Sequence, residues 1–143
     1  MDYLTVFDIG VSGMNLQMAR LESMAANLAN TNSTSADASS VYKPLDVVGV
    51  SGTNFESLLN GSASGDELAV RYQVVESNVG PRMVLEPSHP HANADGLVAY
   101  PDINPVSEMM KLMTATRAYE ANAQVVNAAK SMASVAMDIG RGR

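Results

Sequence analysis

The chain contains no cysteine, no tryptophan and only two phenylalanines in 143 residues. Without cysteine there is no disulfide framework, no thiolate zinc site and no thiol nucleophile. Large aromatics usually dominate core burial; here Ala, Val, Leu and Met must replace them, which suits thin helix–helix seams better than a thick globular core. No apolar run approaches the ~20 residues that span a bilayer, so direct membrane insertion is not expected. The first residues carry Asp2 and Asp8 without a basic or long apolar region. No Sec-type signal peptide is therefore expected, and any exit from the cytoplasm would use a route that reads no cleaved leader. A basic stripe is also missing. With a net charge of -6 and a pI near 4.7, nucleic acid is not an expected partner.

Charge is divided unevenly. Residues 1–32 are net -2, residues 33–104 net -6 and residues 105–143 net +2. The opposite signs of the two ends mildly favour their association, although exposed ion pairs are individually weak. Nine of the ten methionines lie in or at the terminal segments, with only Met83 between them. Methionine fills irregular gaps and suits adaptable interfaces, though the same residues would serve as ordinary helical core.

The two ends carry the strongest pattern. Leu4, Phe7, Val11, Met14, Met18, Leu21, Ala25 and Leu28 are spaced alternately by three and four residues, an apolar seam of coiled-coil type. The spacing predicts a helix from about Tyr3 to Ala29. Gly10 and Gly13 weaken its start by about 1 kcal/mol each relative to Ala, and Asn30-Thr31-Asn32-Ser33 should end it. A second helix is expected from about Val106 to Ile139, with Asn104 as its cap, Pro105 in the first position and Gly140 as its stop. Its later seam is Ala118, Ala121, Val125, Ala128, Met132, Val135 and Ile139. An earlier stripe carries Met109, Leu112, Thr116 and Tyr119, so the apolar surface is wider than one partner helix needs. Asn27, set among apolar positions, is expected to bond across a helix interface and fix register.

Between the ends, residues 30–40 are small and polar and predict a flexible loop. Short strands are expected at Leu45–Val50, Leu68–Val75, Arg82–Leu85 and Leu97–Tyr100, with a mobile tip at Gly52–Gly65. In the second strand Leu68, Val70, Tyr72 and Val74 should share one face. Asp95-Gly96 signals the turn between the last two strands. The fold class is therefore α+β, with long N- and C-terminal helices paired antiparallel and a small β-rich middle. Two parts are expected: 1–32 with 105–143 as a helical coiled-coil domain, and 33–104 as a β-rich, loop-rich segment.

From His91 onward the chain imitates a calcium loop, with His91, Asn93 and Asp95 at odd positions, Gly96 sixth and Asp102 twelfth. It lacks the leading carboxylate, the closing Glu and flanking helices on both sides. His89 and His91 have no evident third ligand. No G-x-S-x-G elbow, P-loop or dinucleotide fingerprint is present, and Asp66-Glu67 reads as solvated charge. Neither an enzyme nor a cofactor is expected. The patterns leave open a subunit of a helical assembly, a soluble helical adaptor or secretion chaperone that binds a partner helix, and a metal-dependent binding module.

The run Ala26-Asn27-Leu28-Ala29-Asn30-Thr31-Asn32, closing an amphipathic helix, resembles the signature of flagellar basal-body rod and hook proteins. Pro81-Arg82-Met83-Val84, Glu86-Pro87-Ser88-His89-Pro90 and Gly96-Leu97-Val98-Ala99-Tyr100-Pro101 are similar to the proximal-rod branch of that family. So are Glu108-Met109, Arg117-Ala118-Tyr119-Glu120-Ala121-Asn122 and Asn127-Ala128-Ala129-Lys130-Ser131-Met132. The stretch from Asn32 to Tyr42 is longer than in distal-rod and hook subunits, Pro105 replaces an expected aliphatic residue, and Ser51–Asp66 is not diagnostic. The resemblance implies a structural subunit of the proximal rod, exported by the flagellar type III apparatus and stacked helically in the periplasm as shaft and channel wall. It also implies as partners copies of itself, other rod subunits and the adaptor between rod and membrane ring. The residues expected at coiled-coil or subunit interfaces are Leu4, Phe7, Val11, Met14, Met18, Leu21, Asn27, Leu28, Asn30, Met109, Met113, Tyr119, Val125, Met132, Val135 and Ile139.

Overall fold

The computed structural model describes residues 3–35, 37–50 and 70–142. Helix α1 (Tyr3–Ala29) is followed by a single 3-10 turn (Ala38–Ser40), strands β1 (Leu45–Val50), β2 (Arg71–Glu76), β3 (Arg82–Leu85) and β4 (Leu97–Tyr100), and helix α2 (Pro105–Gly140). The architecture is α+β. The expected tip at Gly52–Gly65, Leu68 and the pair Asp66-Glu67 lie outside the described residues, as does the side chain of Leu4.

Each helix ends where its side chains satisfy free backbone groups. At the C-terminus of α1, Asn30 Nδ2 donates to Ala26 O at 2.8 Å, and Thr31 Oγ1 donates to Asn27 O at 3.1 Å. At the N-terminus of α2, Asn104 Oδ1 accepts from the backbone N–H of Val106 at 3.0 Å and of Ser107 at 3.3 Å. Pro105 then occupies a position whose missing N–H costs nothing. The expected stop at Gly140 is displaced. Gly140 is still helical, and the turn falls at Gly142, whose φ of +70° is open to glycine and whose N–H reaches Ile139 O at 3.2 Å.

Two strand pairs form, β1 with β2 and β3 with β4. Ser77 N donates to Pro44 O at 2.7 Å, joining the residue after β2 to the residue before β1. In the antiparallel β3–β4 pair, Arg82 faces Tyr100 and Leu85 faces Leu97. Gly96 closes their connection with φ +75°, while Asn93 Oδ1 accepts from Asp95 N and Leu97 N, both at 2.9 Å. The expected flexible loop at 30–40 carries specific structure instead. Ser35 bridges to Ala99, Thr34 Oγ1 bonds His91 Nδ1 at 2.9 Å, and Asp37 caps the 3-10 turn by accepting from Ser39 N at 3.1 Å. Small polar residues predict a loop, and here the same side chains also supply its hydrogen bonds.

The chain divides into two compact units. One holds the described residues of 1–19, 48–73 and 114–143; the other holds those of 20–47 and 74–113. In the first, α1 and α2 approach closely and run antiparallel. A Cβ at Gly10 would lie 2.5 Å from Val126 Cγ2, and one at Gly13 would lie 2.9 Å from Asn122 Nδ2, so contacts that advance along α1 retreat along α2. Ala19, Ala115 and Ala129 are buried there. In the second unit the buried residues are Val41, Val47, Val98, Ala99 and Pro101 from the strands and loops, with Ser23, Asn27 and Glu108 from the helices. Such small cores follow from the shortage of aromatics.

Candidate assembly faces and the Asn27 network

The face of α2 that contacts α1 is not the large apolar seam. On α2 the residues Glu108, Leu112, Ala115, Tyr119, Asn122, Val126, Ala129 and Ala133, spaced by four and three, are all buried or half-buried. The seam from Ala118 to Ile139 runs alongside it, mostly one residue earlier and therefore about 100° round the helix. Val125, Met132, Val135 and Ile139 of that seam are 53%, 59%, 58% and 73% exposed. On α1 the displacement has the same size and the opposite sense, and the seam there is only partly exposed. Gly10, Gly13 and Asn27, each one residue before a seam position, make the contacts to α2.

The expected interface residues sort accordingly. Val11, Met18, Leu28, Met109 and Met113 are exposed, while Phe7, Met14, Leu21, Asn30 and Tyr119 are half-buried. Asn27 is buried. Val70, Tyr72 and Val74, expected to share a strand face, are all exposed, and so are Val48 and Val50 on β1. Gly10 and Gly13, and also Glu108, Asn122 and Val126, are contact residues that apolar spacing does not select. Their signal was a second, weaker stripe of small and polar residues at the same spacing.

The best-defined side-chain cluster surrounds Asn27, 3% exposed. Its Nδ2 donates to Leu45 O at 2.9 Å and to Glu108 Oε2 at 3.1 Å; its Oδ1 accepts from Leu45 N at 2.8 Å and Tyr42 OH at 2.9 Å. Glu108, 7% exposed, uses its other oxygen to accept from Lys111 Nζ at 2.7 Å. Among the described residues no buried side-chain nitrogen or oxygen lacks a partner.

Burial, and secondarily the nearby Glu108 carboxylate, pushes the Tyr42 phenol above its usual range. The folded chain thus holds that proton more tightly than the unfolded chain. Its stabilisation is complete below the usual phenol value of about 10 and is lost as pH rises through the higher folded value. Thermal melts of Tyr42→Phe should show a loss on the order of 1 kcal/mol near pH 8, from the missing hydrogen bond. That gap from the parent should close as the pH passes above about 10; a gap independent of pH would refute the coupling. The phenol of Tyr100 is also raised, chiefly by its hydrogen bond to Glu86, but it is common to both chains and cancels in the comparison.

His89 and His91 stack edge to face with centroids 5.4 Å apart, and His89 Nδ1 accepts from His91 N at 3.1 Å. The pair therefore braces the turn between β3 and β4. Among the described residues no group of three or more His, Asp or Glu side chains could hold a metal ion, and no helix is long and apolar enough to cross a membrane.

Comparison with known proteins places this arrangement. Residues 94–139, covering β4 and nearly all of α2, match the model for the C-terminal region of the flagellar basal body rod FlgEFG proteins. The chain is 34% identical over 142 residues to flagellar basal-body rod protein FlgC of Escherichia coli O6:H1, spanning 99% of this chain and 100% of that protein. It is 33% identical over 141 residues to FlgC of Salmonella typhimurium, with 99% and 100% coverage. Against FlgC of Bacillus subtilis it is 33% identical over 143 residues, with 94% and 95% coverage. At this identity over nearly the full length, the chain belongs to the FlgC family of flagellar basal-body rod proteins.

Proposed function

We infer that this chain builds the rod through a division of labour between its helix faces. It is a structural rod subunit of the flagellar basal body, not an enzyme. Small and polar inner faces hold α1 and α2 together. The large apolar seams beside them meet copies of the chain and other rod subunits in the proximal rod, whose stacked helices form shaft and channel wall. In this reading 1–32 and 105–143 make the rod-core domain, and 33–104 makes the outer layer. The adaptor between rod and membrane ring is a neighbour, and the type III apparatus delivers the chain to the periplasm.

The observation that carries the reading is the exposure of Val125, Met132, Val135 and Ile139 on one side of a long helix. Burying each such side chain is worth about 1.5–3 kcal/mol, and a stripe of them left in water calls for a partner. A strain lacking this chain should be non-motile and yield basal bodies without a complete rod. Complementation with a tagged chain should restore motility and place the tag in purified basal bodies. A tag that stays in the cytoplasmic fraction while motility is restored would instead support the adaptor reading.

A further inference from the structure

Asn27 touches two elements besides its own helix, and its geometry ties one to the other. An amide has two N–H donors and one oxygen able to accept twice, and all four capacities are used. Two of the bonds go to the N–H and C=O of Leu45, so the side chain meets the first residue of β1 as a neighbouring strand would. The amide cannot turn to suit α2 without losing that pairing. A slide of α2 by one turn in one direction would replace Glu108 with Leu112 and leave one donor unmatched in a buried site; in the other it would bring Asn104, whose Oδ1 already accepts from Val106 N and Ser107 N. Lys111 holds the other carboxylate oxygen, which leaves Oε2 for Asn27. Buried polar residues can fix register where apolar packing does not.

We propose that Asn27 is a register latch. Strand β1 docks on α1 only when α2 stands with Glu108 opposite Asn27, so the strand reports and enforces the helix register. Glu108 acts on β1 through Asn27, as a positioning residue.

The test uses the full-length chain and two readouts. Hydrogen exchange followed by NMR reports the docking of β1, with the β3–β4 amides as an internal reference for global stability. Because the chain has no cysteine, spin labels at Glu22→Cys and Met113→Cys report the helix register. Glu108→Leu should speed exchange at the Leu45 amide at least tenfold more than at β3–β4. Asn27→Leu should broaden the label distance, or displace it by a helical turn of about 5 Å. Asn27→Asp keeps the size and both acceptor bonds and loses the two donors; it should also broaden the distance, and it carries the test if Asn27→Leu fails to fold. The proposal is overturned if Leu45 exchange moves only in step with β3–β4. A narrow, unmoved label distance in Asn27→Asp overturns it equally.

Discussion

Val125→Asp or Met132→Asp should leave the chain folded and exported while abolishing rod assembly and motility. The two side chains are 53% and 59% exposed, so a carboxylate there stays hydrated in the isolated subunit. Exposed substitutions of this kind usually change stability by less than about 0.5 kcal/mol. In the assembled rod the same position would be covered by a neighbour, and an unpaired buried charge costs several kcal/mol. Each ~1.4 kcal/mol is a tenfold loss in association, and the cost recurs at every equivalent contact. Ser134→Asp, an exposed site off the seam, is the matched control and should remain motile. The measurements are swimming in soft agar, electron microscopy of basal bodies, and immunoblots of exported protein. A motile strain carrying either seam variant would sink the assigned assembly face.

How much of this could be read from the sequence depends on what its pattern weighs. The ends of α1, the cap at Asn104, β1, β3 and β4 fall where composition places them, because each rests on local chemistry that acts within a few residues. The contact between the helices was harder. Apolar spacing selects the largest side chains, Leu21, Val125 or Met132, whereas close helix approach selects the smallest. At Gly10 a missing side chain is what makes room for Val126. Glycine scores as a helix weakener in sequence and as a contact in the fold, and only the partner residue decides between the two. Asn27 was legible as an anomaly, a polar residue among apolar ones. Its three partner residues were not, because Tyr42, Leu45 and Glu108 reach it from distant parts of the chain. The α2 seam remains informative in its displaced position: Val125, Met132, Val135 and Ile139 lie beside the helix contact, on surface the single subunit leaves exposed.

Gly10→Ala should destabilise the folded chain, while Gly13→Ala should be near neutral or slightly stabilising. Both substitutions gain about 1 kcal/mol of helix propensity, so any difference must come from what the new methyl meets. At Gly10 it would lie 2.5 Å from Val126 Cγ2. Valine in a helix is held to one main χ1 rotamer, so relief requires the helices to move apart, and overpacking of this kind costs about 1–3 kcal/mol. At Gly13 the methyl would lie 2.9 Å from Asn122 Nδ2, the end of a side chain that can rotate away. The expected net loss for Gly10→Ala is on the order of 1 kcal/mol, a fall in melting midpoint of a few degrees for a chain of this size. Val126→Ala removes the obstructing methyls, so Gly10→Ala/Val126→Ala should lie above the sum of the single effects. For residues in contact such coupling runs to about 0.5–3 kcal/mol. Thermal melts of the four chains of this cycle, with Gly13→Ala beside them, decide the matter. Gly10→Ala as stable as the parent, or additive with Val126→Ala, would mean that the helices are not held at this approach. The glycine would then be a helix weakener and nothing more.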